Sequence, residues 1–318
     1  MLLTMDYCNA NRQSGSGNNF KVTCPACNGH NLYVTLSNGF AFCFNCNVSM
    51  TLEGYEPRKA RKIVQIQSTI DEVRSVYKRL KQVYQDQLNR EHFEFLEHRG
   101  IDKDKAELFG VGFCPAAQLP DYQYQVYKDA GVTDFHGGPS LANRLVFPYE
   151  AEGEITDIRG RSWIGEEPKY RSPFLPSIIR GAYYPFNWDR AVVKAQQKKM
   201  LIITEGEIKA IAADDLFPIV ALPGMNSWRR GLEPDPSWRI VVMFDNDARR
   251  KHRLDIDRAI RRISERLPKI YVATLPLLGE QKMDIDAFLV HPHGKDVRFK
   301  QVVEDAIPYA EYAQLRRF

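Results

Sequence analysis

The sequence predicts an α+β protein of more than one domain, with a small N-terminal β unit, a mixed α+β region and a C-terminal α/β domain with a central parallel sheet. Three observations support this order. Two Cys-x-x-Cys pairs stand within the first 56 residues, apolar residues recur at helical spacing from Ile70, and short unbroken apolar runs alternate with helical segments from Met200. We therefore divide the chain into residues 1–56, a connector at 57–68, a middle region at 69–197 and a C-terminal domain at 198–318.

The composition is that of an ordinary globular protein. The 318 residues include 44 Lys and Arg against 40 Asp and Glu, a net charge of +4, and 44% are hydrophobic, which excludes disordered, collagen-like and coiled-coil classes. No apolar run approaches the roughly 20 residues of a membrane span, and Met1–Ala10 lacks the features of a signal peptide. We therefore expect a soluble, cytoplasmic protein with no membrane partner, whose cysteines stay reduced.

The two cysteine pairs predict a structural zinc site. Cys24 and Cys27 precede a predicted hairpin, and Cys43 and Cys46 close it, in the spacing C-x2-C-x15-C-x2-C. This spacing is typical of zinc ribbons rather than of unrelated thiols, and four thiolates leave no coordination position for catalysis. His30 is an alternative ligand to Cys27.

The remainder of the first unit is predicted to be a small ribbon. Asn38-Gly39 lies between two β-prone runs and predicts a hairpin, whereas the polar segment Asn9–Asn19 has no periodicity and predicts a loop. Four side chains could stack on and neutralise single-stranded nucleic acid, but we favour the simpler interpretation that the aromatic ones form the ribbon's own core. These four are Lys21, Phe40, Phe42 and Phe44.

The middle region begins after the basic connector. Apolar residues recur at helical spacing between Ile70 and Leu88, which predicts a long amphipathic helix. Further along, Leu145–Phe147 and Ile155–Ile158 are β-prone and flank a turn at Gly153. The middle region is therefore predicted to be α+β.

Acidic residues follow the predicted strands of the C-terminal domain. Glu205 comes directly after Leu201–Thr204, and Asp245 and Asp247 directly after Ile240–Phe244. Because the carboxyl ends of parallel strands meet at one edge of a sheet, we expect these carboxylates to face a common ligand site.

A third acidic pair, Asp284 and Asp286, follows a later apolar run. Alternate residues of an extended segment point the same way, so each Asp-x-Asp can offer two carboxylates to one ion. Converging carboxylates repel one another, and Mg²⁺ is the usual counter-ion in phosphoryl chemistry. We interpret the similar pair Asp255-x-Asp257 as a solvated surface.

These motifs resemble the DnaG-type DNA primases of bacteria and phages, which join a zinc ribbon to an RNA-polymerase-like subdomain and a TOPRIM domain. Glu205-Gly206, Asp245-x-Asp247 and Lys282-x-Asp284-x-Asp286 match the TOPRIM acidic motifs. The likeness runs from about Cys24 to Phe288. More specific matches in the middle region begin at Phe95, Phe109, Arg144, Gly160 and Pro168.

The resemblance implies template-directed synthesis of short RNA primers on single-stranded DNA from ribonucleoside triphosphates. It implies catalytic roles for Glu205, Asp245, Asp247 and Lys169, with Glu205 as a metal ligand or a general base. The implied ligands of Mg²⁺ or Mn²⁺ are Glu205, Asp245, Asp247, Asp284 and Asp286. The implied nucleotide and DNA contacts are Arg144, Arg161, Lys169 and Arg171.

Two departures from the family bear on function. Lys209 stands where the first TOPRIM motif commonly carries an acid, four residues after Glu205. Only 32 residues follow Asp286, too few for a fused helicase, so the resemblance implies a compact phage or plasmid primase that acts with a separate replicative helicase. Two alternatives stay open: a TOPRIM-type metal-dependent nuclease, and a non-catalytic zinc-ribbon module that binds single-stranded DNA, which Lys209 favours.

Overall fold

The computed structural model describes residues 2–16, 19–36, 39–43, 45–46, 48–54, 68–117, 125–134, 137–173, 184–228, 233–247, 249–267, 269–280 and 282–316. The chain divides into two compact units, Met1–Ile66 and Gln67–Phe318, which we describe separately. The predicted connector lies outside the described residues except for Ser68, and so does Phe44.

In its described residues, the first unit forms a six-stranded sheet with one short helix. Its helix is α1 (Met5–Ala10), and its strands are β1 (Leu2–Leu3), β2 (Arg12–Ser16), β3 (Asn19–Val22), β4 (Leu32–Thr35), β5 (Phe40–Cys43) and β6 (Ser49–Leu52). The strands pair in the order β1, β6, β5, β4, β3, β2. All neighbours are antiparallel except β1 and β6.

The predicted hairpin is confirmed, and the predicted N-terminal loop is wrong. Strands β4 and β5 pair antiparallel with Thr35 opposite Phe40. Within the supposed loop Asn9–Asn19, however, α1 ends and β2 pairs with β3. An edge strand is held by backbone hydrogen bonds. A polar, glycine-containing segment can therefore form an edge strand even though its side chains show no strand-like pattern in the sequence.

The sheet of the first unit buries one face. Along β5, Ala41 and Cys43 are buried, whereas Phe42 between them is half-buried and Phe40 is 44% exposed. Tyr33 on the neighbouring strand is 41% exposed. Because strand side chains alternate between faces, inward-pointing Ala41 and Cys43 turn the phenylalanines to the other face. The interpretation of Phe40 as ribbon core is therefore wrong.

The second unit contains the remaining elements. Its helices are α2 (Ile70–Gln85), α3 (Arg90–Glu97), α4 (Lys103–Leu108), α5 (Gln125–Asp129), α6 (Trp188–Lys198), α7 (Glu207–Ala213), α8 (Arg250–Ser264), α9 (Ile285–Val290), α10 (Lys295–Glu304) and α11 (Tyr309–Leu315). Its strands are β7 (Gly112–Cys114), β8 (Arg144–Ala151), β9 (Glu154–Arg161), β10 (Tyr170–Arg171), β11 (Met200–Glu205), β12 (Ile219–Leu222), β13 (Arg239–Val242), β14 (Asn246–Asp247), β15 (Ile270–Val272), β16 (Lys282–Met283) and β17 (Ile307–Pro308).

The predicted long helix is confirmed as α2. Thr69 and Glu72 form a capping box at its start: the Glu72 N–H donates to Thr69 Oγ1 at 3.2 Å, and the Thr69 N–H donates to Glu72 Oε2 at 2.7 Å. Its inward face buries Val73, Tyr77 and Leu80 at helical spacing. The helix ends at Gln85, three residues before the last apolar position of the predicted pattern.

Three sheets lie in the described residues of the second unit. An antiparallel sheet has the order β10, β9, β8, β7, and a two-stranded antiparallel ribbon joins β14 to β16. The central sheet has the order β12, β11, β13, β15, β17 and is parallel except for β17. The predicted central parallel sheet is therefore confirmed, and its parallel strands are buried on both faces.

One hydrophobic core spans much of the second unit. It joins Leu96 and Phe147 from the predicted middle region to Ile202 and Phe288 from the predicted C-terminal domain. The two predicted regions thus share buried contacts, and the boundary between residues 197 and 198 stays a prediction. No helix in the described part of the chain is long and apolar enough to cross a membrane.

Candidate functional site

The four cysteines of the first unit converge on one point, and we call them the four-cysteine group. The Sγ atoms of Cys24 and Cys46 lie 3.8 Å apart, those of Cys27 and Cys43 lie 3.7 Å apart, and all four lie within 4.8 Å of one another. Zn–S bonds of about 2.3 Å at tetrahedral angles place sulfurs about 3.8 Å apart. Both the donor type and the spacing therefore suit zinc.

Backbone N–H groups shape the two cysteine turns. The Asn28 N–H donates to the carbonyl oxygen of Cys24 at 2.8 Å. Burial of Cys43 raises its pKa, but hydrogen bonds from the backbone N–H groups of Cys46 and Asn45, together with those from the side chains of Cys46 and Cys24, outweigh this and bring the pKa of Cys43 to about 7. A thiol of lowered pKa is readily deprotonated, which is the form that binds a metal.

His30 lies outside the four-cysteine group. Its Nδ1 lies 3.3 Å from the hydroxyl oxygen of Thr23, and the candidate ligand group contains cysteines alone. The structure therefore favours Cys27 over His30 as the fourth ligand.

Four acidic residues of the second unit cluster beyond the carboxyl ends of the central strands. Glu205 ends β11, and Asp245 follows β13, whose parallel pairing with β11 places Ile203 opposite Val242. Asp284, which caps the start of α9, and Asp286, in the first turn of that helix, join them. The charge of Asp245 acts on both Glu205 and Asp284, and that of Asp286 acts on Asp284. We call Glu205, Asp245, Asp284 and Asp286 the acidic edge.

Two carboxylates of the acidic edge are paired with cations. Asp245 accepts hydrogen bonds from Lys209 and, at 2.8 Å, from Lys282, while Arg99 Nη1 donates to Asp286 Oδ2 at 2.8 Å. Burial raises the pKa of Asp245, but the two ammonium groups outweigh burial and hold it below its ordinary value. The sequence reasoning missed the role of Arg99, although Arg99 lies in the matching segment that begins at Phe95.

The other two carboxylates, Glu205 and Asp284, form no ion pair within the described residues. Burial raises the pKa of both, and neighbouring Asp286 raises that of Asp284 further. Asp284 also caps α9, where its Oδ1 accepts from the Ala287 N–H at 3.1 Å. Half-buried carboxylates without an ion-pair partner suit a hard cation such as Mg²⁺, which typically binds one or two carboxylates and retains water.

Asp247 is committed to another partner. Its two oxygens lie 2.9 and 3.1 Å from Arg249 Nε, and the carboxylate is almost completely buried. The hydrogen bonds from Arg249 lower the pKa of Asp247 to about 2. The structure thus pairs Asp247 with Arg249 instead of adding it to the acidic edge.

Basic side chains lie on the adjoining strands β9 and β10. Tyr170 stands opposite Arg161, and the Ser162 N–H donates to the Lys169 carbonyl oxygen at 2.8 Å, which places Arg161, Lys169 and Arg171 close together. Arg161 is only 5% exposed, and its Nε and Nη1 have no hydrogen-bond partner in the described part of the chain. A buried guanidinium with unused donors suits a phosphate ligand.

The charge of Lys169 is influenced by both the basic and the acidic side chains nearby. Burial lowers the pKa of Lys169, and the positive charges of Arg161, Lys282 and Lys209 lower it further. Since Lys209 and Lys282 pair with Asp245, Lys169 lies near the acidic edge. A single phosphate chain could therefore meet Lys169 and the acidic edge together.

Arg144 has a different place from the one predicted. It is fully buried, with Nη1 donating to the Ala142 carbonyl oxygen at 2.8 Å and Nη2 donating to that of Pro168 at 3.1 Å. Its guanidinium braces the turn that leads to Lys169. The structure therefore corrects the expectation that Arg144 contacts nucleotide or DNA, because its guanidinium is buried and bonded inside the protein.

A buried network below Glu205 escaped the sequence reasoning. Glu207 is completely buried, and its Oε1 accepts from the Tyr149 hydroxyl at 2.5 Å and lies 3.6 Å from Arg159 Nη1. Arg159 in turn covers the ring of Tyr170 at 4.4 Å. The network ties β8 and β9 to the first residue of α7, two residues after Glu205. Only the packed structure reveals it, because its members lie far apart in sequence.

The fold and sites together define a class of proteins in which a four-cysteine β unit is joined to a mixed α/β unit with acidic residues at the edge of a parallel sheet. Among solved structures, this is the fold of DnaG-type primases. The chain is similar to the zinc-binding and RNA polymerase domains of the Aquifex aeolicus primase, with a TM-score of 0.59 and 18% identity over 95% of this chain and 82% of that one.

Two further solved structures share the fold over 77% of this chain. The RNA polymerase domain of the Mycobacterium tuberculosis primase DnaG has a TM-score of 0.60 and 17% identity, over 77% of this chain and 86% of that one. A DnaG primase catalytic domain bound to single-stranded DNA has a TM-score of 0.58 and 19% identity, over 77% of this chain and 83% of that one.

The sequence comparison also finds DNA primases. The chain is 27% identical over 176 residues to the DNA primase of Staphylococcus aureus (strain COL), which covers 48% of this chain and 28% of that protein. It is 24% identical over 277 residues to the DNA primase of Thermotoga maritima, over 73% of this chain and 48% of that protein. The chain thus spans less than half the length of these relatives, and no family model matches it. The predicted fold class and the resemblance to DnaG-type primases are confirmed.

Proposed function

We propose that this chain is a DNA primase that synthesises short RNA primers on single-stranded DNA from ribonucleoside triphosphates. The observation that carries the proposal is the presence, in a primase fold, of two half-buried carboxylates that form no ion pair among the described residues, Glu205 and Asp284, together with the buried guanidinium of Arg161, two of whose donors have no partner there. Carboxylates for a cation and an arginine for phosphate are the two features that phosphoryl chemistry requires.

In this proposal the chain positions a nucleotide for attack on its α-phosphate. Arg161 and Lys169 bind the triphosphate, and the 3′ oxygen of the preceding nucleotide attacks while pyrophosphate leaves. Glu205 and Asp284 would hold Mg²⁺ or Mn²⁺, which when bound stabilises the negative charge that develops on the reacting oxygens. Arg99 and Lys282 hold Asp286 and Asp245 in place.

The first unit would bind the template through the exposed face of its sheet. Tyr33 and Phe40 are both more than 40% exposed, and Lys21 Nζ lies 4.5 Å from the Tyr33 ring centroid. Exposed aromatic rings next to a cation can stack with bases and neutralise phosphates of a single strand. A zinc ion in the four-cysteine group would keep this sheet folded. The separate replicative helicase and the phage or plasmid setting remain parts of the proposal that rest on the family resemblance.

A primer-synthesis assay tests the catalytic assignment. Zinc-loaded protein is incubated with mixed-sequence single-stranded DNA, labelled ribonucleotides and Mg²⁺ or Mn²⁺, and the products are resolved on a gel. We expect short labelled RNA from the unmodified chain and roughly 100-fold less from Glu205→Gln, because the variant loses a metal ligand or general base without a change in volume.

The matched control for this assay is Asp255→Asn. Asp255 is a carboxylate on the surface of α8, paired with Arg258 at 2.8 Å, so its loss should leave the RNA yield unchanged. Shortened DNA without added ribonucleotides would support the nuclease instead. Equal RNA yield from Glu205→Gln and the unmodified chain would contradict the assignment of Glu205.

Binding of single-stranded DNA tests the basic residues. Lys169→Ala should weaken binding equally for all sequences and reduce the slope of log Kd against log salt by about 0.7, the value for one phosphate contact on a single strand. Fluorescence anisotropy over a salt titration measures both quantities. Lys300→Ala on the exposed side of α10 is the control, and a slope for Lys169→Ala that equals the control's would refute the contact.

A further inference from the structure

Lys209 lies inside the acidic edge, at the position where the resembling family commonly has an acid. Its side chain is 13% exposed, and its ammonium donates to Asp245 Oδ1, while Lys282 takes the other oxygen of the same carboxylate. The charges of Asp284 and Asp286 also act on Lys209. A fixed cation therefore stands among the carboxylates that would bind a divalent ion.

The neighbouring acid does not compensate for this change. Glu207 lies two residues before Lys209, but it is completely buried and bound to Tyr149 and Arg159. Its second oxygen has no hydrogen-bond partner in the described part of the chain, yet the side chain is held among residues of β8 and β9. The acidic edge thus has one carboxylate fewer and one ammonium more than an edge with an acid at position 209.

The net charge of the acidic edge determines how many divalent cations it can neutralise. Two of its four carboxylates are ion-paired, Asp245 with Lys209 and Lys282, and Asp286 with Arg99. When only these three ion-paired cations are counted against the four carboxylates, one negative charge is left. Binding of one divalent cation changes the net charge of the acidic edge from one negative to one positive charge. Binding of two would give it three positive charges. Replacing an acid by a lysine makes the net charge of the acidic edge more positive by two. This change is as large as the charge of one divalent cation.

We propose that the Lys209 ammonium replaces one divalent cation, so that the acidic edge binds a single Mg²⁺ or Mn²⁺ through Glu205 and Asp284. Asp245 then acts as the anchor of the built-in cation and not as a metal ligand. This inference rests on the proposed function, in which the acidic edge binds a divalent cation at all. Lys209 is then a positioning residue that supplies a permanent positive charge next to Asp245, where no metal ion is needed.

Counting bound Mn²⁺ tests the inference without measuring activity. Zinc-loaded protein is titrated with Mn²⁺ by calorimetry, and the bound ions are counted by electron paramagnetic resonance, both in the absence of nucleotide. We expect one Mn²⁺ per unmodified chain and two per Lys209→Asp chain. Lys209→Glu is the second variant should Lys209→Asp fail to fold, as judged by circular dichroism. Lys81→Asp alters the charge equally at a distinct ion pair, with Glu150, and should leave the count at one.

Two results would overturn the role of Lys209 and leave the proposed function intact. One is a count of two for the unmodified chain, and the other is a count of one for both folded Lys209 variants. A count of zero for every protein would overturn the cation site itself, and with it the metal-dependent mechanism. The number of ions therefore separates failure of this inference from failure of the proposed function.

Discussion

Removal of the metal from the four-cysteine group is expected to unfold the first unit and to leave the second folded. The first unit has only short strands and a small core, and units of this size commonly need a metal or disulfides to remain folded. Structural zinc supplies about 10 kcal/mol or more. The second unit has its own extensive core, so a chelator should not affect it. Hydrogen exchange followed by mass spectrometry measures the two units separately in the intact chain.

A variant of the four-cysteine group should reproduce the effect of the chelator. Cys24→Ser removes a buried ligand, and we expect full exchange of the first unit even with zinc present. Cys8→Ala is the control, since Cys8 is equally buried in the same unit but is not among the candidate ligands.

In primer assays, loss of zinc should abolish initiation while extension of a supplied primer partly survives. Simultaneous loss of both activities would make the first unit a folding element only, and protection unchanged by chelation would refute the structural metal.

The second large effect is expected from the buried network around Glu207. Arg159→Met would leave the completely buried carboxylate of Glu207 without its cation, and breaking a buried pair in this way costs about 3–5 kcal/mol. The side chain of Arg159 is only 16% exposed, so water cannot readily take its place. Urea unfolding of the second unit should show a lower midpoint with an unchanged slope.

Two further variants separate the buried charge from a general loss of packing. Arg258→Met removes an exposed arginine paired with Asp255 and should cost less than about 1 kcal/mol. The double variant Arg159→Met/Glu207→Gln should be more stable than Arg159→Met alone, because it leaves no unpaired charge in the core. If Arg159→Met destabilised the unit no more than Arg258→Met, the network would not have the structural role assigned to it.

Local sequence patterns predicted those features whose geometry is set within a few residues. The spacing of Cys24, Cys27, Cys43 and Cys46 fixes two tight turns on one hairpin, and their sulfurs do converge. The apolar runs of the C-terminal domain predicted a parallel sheet, and Glu205 and Asp245 leave it at the same edge. These predictions succeeded because strand alternation and turn geometry depend on neighbours in the chain.

Such local patterns could not predict contacts between side chains from distant parts of the chain. Asp247 was grouped with the other acids from its Asp-x-Asp spacing, but Arg249 binds both its oxygens. Arg144 was expected to contact nucleotide or DNA, although its two Nη groups donate to carbonyl oxygens inside the protein. Phe40 is exposed because its neighbours on the strand, Ala41 and Cys43, point to the buried face of the sheet. The hydrophobicity of Phe40 alone did not indicate which face it occupies.

The sequence by itself thus determined the order of units, the four-cysteine group, the parallel sheet and the edge at which its carboxylates collect. Only the tertiary structure decided which charges neutralise one another there: Lys209 with Asp245, and Arg99 with Asp286, which lies 187 positions away in the chain. The physical reason is that spacing along the chain fixes direction over one turn or strand, whereas an ion pair depends on which distant elements pack together.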